Sequence, residues 1–267
     1  MRIVITAPGG KMGRLVVREA MKRPEAFTIV GAVGKPGRDY IGKDISAAAM
    51  SAPVGALIFD NIEDIIGNCD GVIDFSTVEL SMAVLEACVR HKKPLLLGTT
   101  GFDRAQEAVI AQAAKVIPIA ESHNTSKAVN LVYELLRKAA AIVGGESDID
   151  IIEMHDNKKM DAPSGTSKVM GRILAESLHT DWEQAARFGR QGVGQREPGE
   201  ITYHSVRSGN LPSSHTVIFG MDGERIEITH HAYDYGTFAK GGLECMLYLL
   251  DKAPGMYTSQ QAFGLTE

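Results

Sequence analysis

The chain has 267 residues, 44% of them hydrophobic, enough to bury a large core in one big domain or two smaller ones. Its 28 basic and 33 acidic residues are evenly spread and leave a formal charge of -5, which excludes the basic patch of a nucleic-acid binder and points to a small-molecule partner. No run reaches 18 apolar residues and no signal-peptide pattern opens the chain, so a soluble, cytoplasmic protein with no membrane partner is expected.

RIVIT, residues 2–6, is a β-branched run that predicts the first strand, and a helix opens near Met12. In the intervening TAPGGKMG, Gly10 and Gly13 fit the last two glycines of a dinucleotide fingerprint, with Lys11 and Met12 between them. Ala7 stands where a strict G-x-G-x-x-G has its first glycine. Such a turn lets backbone N–H groups approach a pyrophosphate at the positive end of a helix. An ordinary glycine turn is the bland alternative, and the position directly after the first strand favours the nucleotide.

FTIVGAV predicts a second strand ending near Val33, where NAD enzymes often place an acid against the ribose diol. Here the chain reads Gly34, Lys35, Pro36, Gly37, Arg38. Two cations at an acid-free tip would attract a 2′-phosphate, so NADPH is expected, with NADH possible and solvated loop charges as the other reading. ALIFD, GVIDFS, KPLLLGTT and VIPIAES continue the series through residue 125. Strands alternating with helical patterns predict a Rossmann-like doubly wound parallel sheet of the α/β class. GTTGF sets Gly98, Thr99 and Thr100 at the carboxyl edge of that sheet, where ligands bind, although turn formation alone would also explain them. Cys69, Cys88 and Cys245 lie far apart in apolar runs and read as buried hydrophobes in a reducing compartment; no disulfide and no metal site is expected.

After Asn124 the rhythm changes. A helical pattern over 127–143 leads to the strand-like DIDIIEMH, an irregular charged stretch, a Pro163-Ser164-Gly165-Thr166 turn and a helix from about Ser167. Residues 189–200, rich in glycine and charge, read as a mobile loop. EITYHSVRS is a further strand, and HTVIFG and ERIEITHHAY form a hairpin across MDG. This is the pattern of an inserted α+β substrate domain with a mainly antiparallel sheet. The expected division is 1–125 plus 238–267 for the dinucleotide and 126–237 for substrate binding and oligomerisation. A last helix over 238–250 returns to the first domain, and the polar tail after Pro254 is expected to fray or to lie across another subunit.

His155 ends the strand DIDIIEMH, and an imidazole there is a candidate proton donor. Lys159 and the backbone amides at the start of the next helix, with the Thr166 hydroxyl, form a candidate carboxylate receptor. A lone histidine among lysines is otherwise surface decoration.

GGKMGR, IDFS, GTTGF, E-x-H-x-x-x-K-x-DAPSGT, HTVIF, GERIEITH and TFAKGG together make nearly the whole chain resemble the 4-hydroxy-tetrahydrodipicolinate reductase (dihydrodipicolinate reductase) family. The resemblance implies NAD(P)H-dependent reduction of a cyclic imine in lysine and diaminopimelate biosynthesis by a homotetramer. It implies His155 as proton donor and Lys159 as substrate-binding, charge-stabilising group. Gly165, Thr166 and Thr100 are implied to hold a substrate carboxylate. Four places depart from the family pattern: Ala7; Asp156 in place of a second histidine; Thr125, Lys127 and Ala128 in the stretch after Asn124; and Asp234-Tyr235 in place of Ser-Arg. A paralogous reductase of another imine or carbonyl, with Asp156 facing a different ligand, is the alternative. A non-catalytic NADPH-binding protein is a third reading, disfavoured by the retained His155 and Lys159.

Overall fold

The computed structural model describes residues 1–122 and 124–266. The chain divides into two compact units, Met1–Lys127 with Tyr235–Glu267, and Ala128–Asp234.

The first unit begins with β1 (Arg2–Thr6), α1 (Lys11–Met21), β2 (Thr28–Val33), α2 (Ser46–Ala49) and β3 (Ile58–Phe59). It continues with β4 (Gly71–Asp74), α3 (Val78–His91), β5 (Leu95–Leu97), α4 (Arg104–Ala113) and β6 (Pro118–Glu121). The second unit is built from α5 (Lys127–Val143), β7 (Asp148–His155), α6 (Gly165–Ser177), α7 (Trp182–Ala185), β8 (Ala186–Phe188), β9 (Ile201–Arg207), β10 (Ser213–Met221) and β11 (Glu224–Ala232). The chain then returns to the first unit as α8 (Gly236–Leu249), β12 (Gly255–Tyr257) and α9 (Ser259–Ala262).

The first sheet has the order β12-β6-β5-β4-β1-β2-β3, and all its pairs are parallel. Strand alternation explains its two cores. Ile3, Ile5, Ile73 and Leu96 meet Val16 and Val17 of α1 and Leu243 and Met246 of α8, whereas Val4, Val72, Leu95 and Leu97 meet Val84, Leu85 and Cys88 of α3 and Ile110 of α4. With helices on both faces, almost every strand residue is apolar, and each buried aliphatic side chain contributes about 1.5–3 kcal/mol. Strand order reverses between β1 and β4, the point at which doubly wound sheets open a crevice at their carboxyl edge.

The second sheet is mixed, with order β11-β10-β7-β9-β8. β10 is antiparallel to both neighbours along its length, while β9 and β8 join in parallel. The hairpin turn is Asp222-Gly223, with Gly223 at φ +83°, the conformation a tight turn asks of glycine. Ile149, Ile151, Val217, Phe219 and Tyr203 face Leu136 of α5 and Met170 and Leu174 of α6.

Three local expectations change. The tail does not fray: β12 extends the first sheet beside β6, Thr258 and Gln261 cap α9 reciprocally, and Tyr257 and Phe263 pack on the core. Residues 189–200 are irregular as expected, but Arg196 anchors them through Asp150 Oδ2 at 2.8 Å and the carbonyls of Ile149 and Glu200. α6 starts at Gly165, two residues early, because the Ser164 hydroxyl caps it by accepting the Ser167 N–H at 3.1 Å. Among the described residues, no helix is long and apolar enough to cross a membrane, and no group of His, Cys, Asp and Glu is placed to hold a metal ion.

Candidate active site

Along β7 the burial alternates, so Ile149, Ile151, Glu153 and His155 share the inner face. Register sets Phe219, Val217 and His215 of β10 opposite the first three, and Ile201, Tyr203, Ser205 and Arg207 of β9 beside all four. The face is therefore apolar at one end and ionisable at the other.

Glu153 is fully buried, yet its carboxylate lies well below the usual range. Burial alone would raise it; hydrogen bonds from His155, Arg207 and Ser205 outweigh that and lower it. Arg207 donates twice, to Oε2 and Oε1, both at 2.7 Å, and the Ser164 N–H donates to Oε1 at 3.2 Å. Arg207 also reaches the Asp161 carbonyl at 2.6 Å, tying the motif loop to the strand.

His155, 5% exposed, sets Nδ1 2.6 Å from Glu153 Oε2 and Nε2 2.8 Å from Ser213 Oγ. The His215 ring meets it edge-on at 5.2 Å. Burial first, then the nearby His155, pushes His215 down to about 3, so it stays neutral; its Nε2 bonds Ser164 Oγ at 2.9 Å, and its buried Nδ1 has no protein partner.

Lys159 is half-buried, donates to Asp161 Oδ1 at 2.8 Å and is close enough for its charge to reach His215. Gly165 and Thr166 form the first turn of α6, at the positive end of the helix, and the Thr166 hydroxyl bonds Tyr133. Asp156 spends Oδ1 on the Lys158 N–H at 2.9 Å, stabilising its own turn.

The first unit holds the other candidates. Ala7 has φ +45°, a left-handed conformation that favours glycine, and a Cβ on Gly13 would lie 2.1 Å from the Ala7 carbonyl oxygen. The turn is thus packed as tightly as the fingerprint requires. Gly10 caps α1 without a side chain, leaving its first N–H groups open to an anion. Lys11 Nζ sits 3.3 Å over the Tyr235 ring, which stacks on Phe238. Lys35 and Arg38 are exposed on the β2–α2 loop.

At the other side of the edge, Thr99 is buried and turns its hydroxyl to Asp74 Oδ2 at 2.8 Å, while Thr100 is exposed. Asp74, fully buried, also accepts from Thr6 and Ser76, each at 2.6 Å, and from Ser81. It braces the strand ends that lead into both candidate nucleotide loops.

Sequence reading singled out His155 and Lys159 as candidates and assigned nothing to Glu153, Arg207, Ser213, His215 or Asp74. One signal was available for the β-sheet group: in DIDIIEMH and SHTVIF, polar residues occupy positions that alternation reserves for the core.

Residues 1–125 match the family model described as dihydrodipicolinate reductase, N-terminus, and residues 128–263 that of the C-terminus. The chain is 38% identical to the 4-hydroxy-tetrahydrodipicolinate reductase of Syntrophotalea carbinolica and 36% identical to that of Geobacter metallireducens, in each case over 99% of both chains. It superposes on dipicolinate-bound dihydrodipicolinate reductase from Paenisporosarcina sp. TG-14 with a TM-score of 0.76 at 25% identity, covering 98% of each chain. Amine dehydrogenase from Mycobacterium smegmatis shares the fold alone, with a TM-score of 0.66 at 10% identity over 97% of this chain and 95% of its own. With both halves of the chain matched and its curated relatives covered end to end, the protein belongs to the dihydrodipicolinate reductase family.

Proposed function

We propose that this protein is an NADPH-preferring reductase of 4-hydroxy-tetrahydrodipicolinate in the cytoplasm, acting in lysine and diaminopimelate biosynthesis. One observation carries the reading: a single segment, 153–166, supplies a buried Glu–His proton donor, an ammonium and a capped helix start able to receive a carboxylate. His155 holds the proton. Lys159, with three donors of which one goes to Asp161, stabilises negative charge on the ligand, and the amides of Gly165 and Thr166 orient a carboxylate. Thr100 is the further carboxylate contact implied by the family.

The turn around Gly10, Lys11, Met12 and Gly13 fits a pyrophosphate, because the close approaches at Gly10 and Gly13 are both to the Ala7 backbone and its helix start carries no side-chain cap. Lys35 and Arg38 would meet the 2′-phosphate, and Gly98 and Thr99 shape the opposite edge. The cofactor, when bound, supplies the hydride. The second sheet exposes Val206 on its outer face beside half-buried Ile152, Met154 and Ile218, which suits self-association into a tetramer; a monomer by sedimentation would remove that part of the proposal.

The test is NADPH oxidation while the condensation product of pyruvate and aspartate semialdehyde is generated in place. Turnover is expected, reduced about 10²-fold or more in His155→Ala. NADPH affinity should fall far more than NADH affinity when Lys35 and Arg38 are both changed to Ala. A background rate for the wild type would shift the reading to a paralogue with another imine or carbonyl substrate.

A further inference from the structure

The proton held by His155 has an unassigned exit. Glu153 is ionised, hence an acceptor only, so the hydrogen between it and His155, at 2.6 Å, sits on Nδ1. Arg207 holds that carboxylate in place from the other side. The neutral ring is therefore the Nδ1–H tautomer, and the proton that comes and goes is the one on Nε2. Nε2 faces Ser213 Oγ at 2.8 Å; the ring is 5% exposed, Ser213 is 9% exposed, and the His215 ring closes the neighbouring side.

Ser213 begins β10, and its neighbour Ser214 turns the other way, to the Pro212 carbonyl and His231. The two serines are not equivalent: only Ser213 reaches the candidate proton donor.

We propose that Ser213 Oγ is the atom that hands the proton to the substrate, with His155 recharging it. The Ser213 O–H bond breaks as its proton moves to the substrate atom that has gained an electron pair. The Nε2–H bond breaks in concert and forms a new O–H bond on Ser213. Serine ends unchanged, the imidazolium becomes neutral imidazole, and solvent reprotonates it after turnover. This rests on the reading of His155 as proton donor in an imine reductase.

The experiment compares wild type, Ser213→Ala and Ser213→Thr, each first shown to melt as a folded protein. For Ser213→Ala, kcat should fall about 10²-fold while affinity for a pyridine dicarboxylate changes little, and Ser213→Thr, which keeps the hydroxyl, should recover most of the rate. Rates in mixed H2O and D2O should curve with deuterium fraction in the wild type, as two moving protons require. A Ser213→Ala enzyme running at the wild-type rate overturns the proposal. So does an Nε2 resonance of His155, read by nitrogen-15 NMR, that is the same in wild type and Ser213→Ala, whatever the activity. A wild type that fails to turn over overturns the function reading instead, and the NMR comparison still decides the Ser213 contact.

Discussion

Asp156 is a carboxylate placed beside the segment proposed to receive a substrate carboxylate, and its own hydrogen bond explains how that is tolerated. Oδ1 holds the Lys158 N–H, so the side chain serves its turn before it serves any ligand. A charge in that place still repels an anion through the space between them, by an amount that water reduces. Asp156→Asn keeps the acceptor and removes only the charge. It should fold as the wild type does and bind a pyridine dicarboxylate about three- to tenfold more tightly, up to about 1.4 kcal/mol, measured by calorimetry. Unchanged affinity would show that the charge is fully screened and that this departure from the family pattern is neutral.

Among the elements, the β1–α1 turn shows what one missing glycine costs. Ala7 holds φ +45° against a steric penalty of about 1–2 kcal/mol, whereas Gly13 packs its α-carbon against the Ala7 carbonyl with no room for a methyl group. Ala7→Gly should therefore raise the unfolding free energy by about 0.5 kcal/mol, the relieved strain being partly offset by a freer unfolded chain. Gly13→Ala should lower it by about 1–3 kcal/mol, since backbone must move, and should weaken NADPH binding as well. Equal melting temperatures in the two variants would contradict the packing account. Other departures from the family pattern also have local explanations. Thr125 Oγ1 bonds the Phe238 carbonyl at 2.6 Å and its carbonyl lies against Gly241, which fixes this stretch to α8, and Tyr235 receives Lys11 on its face.

For the whole molecule, the buried ionisable groups set the response to acid. His215 titrates near 3 in the folded chain and near 6.5 when unfolded, so between those values the unfolded state binds a proton that the folded state does not. Stability then rises with pH across that window and falls on acidification, by up to about 1.4 kcal/mol per pH unit. Glu153 and Asp44 add their loss only lower. Asp44, whose burial is outweighed by hydrogen bonds from Ser46, Val54 and Gly55, sits at about 2, and Glu153 is lower than usual through His155 and Arg207. Both contribute stability above their unfolded values and lose it as pH falls through the folded ones. Urea midpoints should thus fall from pH 6.5 to 4.5 in the wild type and flatten over that interval in His215→Gln. A midpoint that is level in the wild type would remove His215 as the cause.

Periodicity determined much of this by itself. The β-branched runs and amphipathic helices of the first unit and the Asp-Gly hairpin are local signals, because burial alternates along a strand and recurs each turn of a helix, whereas the roles proposed for His155 and Lys159 rest on the family motif. Strand register decided the rest. Arg207 reaches Glu153 across 54 residues, Ser213 reaches His155 across 58, and Asp74 gathers the hydroxyls of Thr6 and Thr99 from two other segments of the chain, pairings that no short window of sequence contains. β12 is too short for its alternation to show, and becomes a strand only because the edge of β6 offers it unpaired backbone groups. A buried charge or a strand edge is stable only with its partner, and tertiary structure alone supplies that partner.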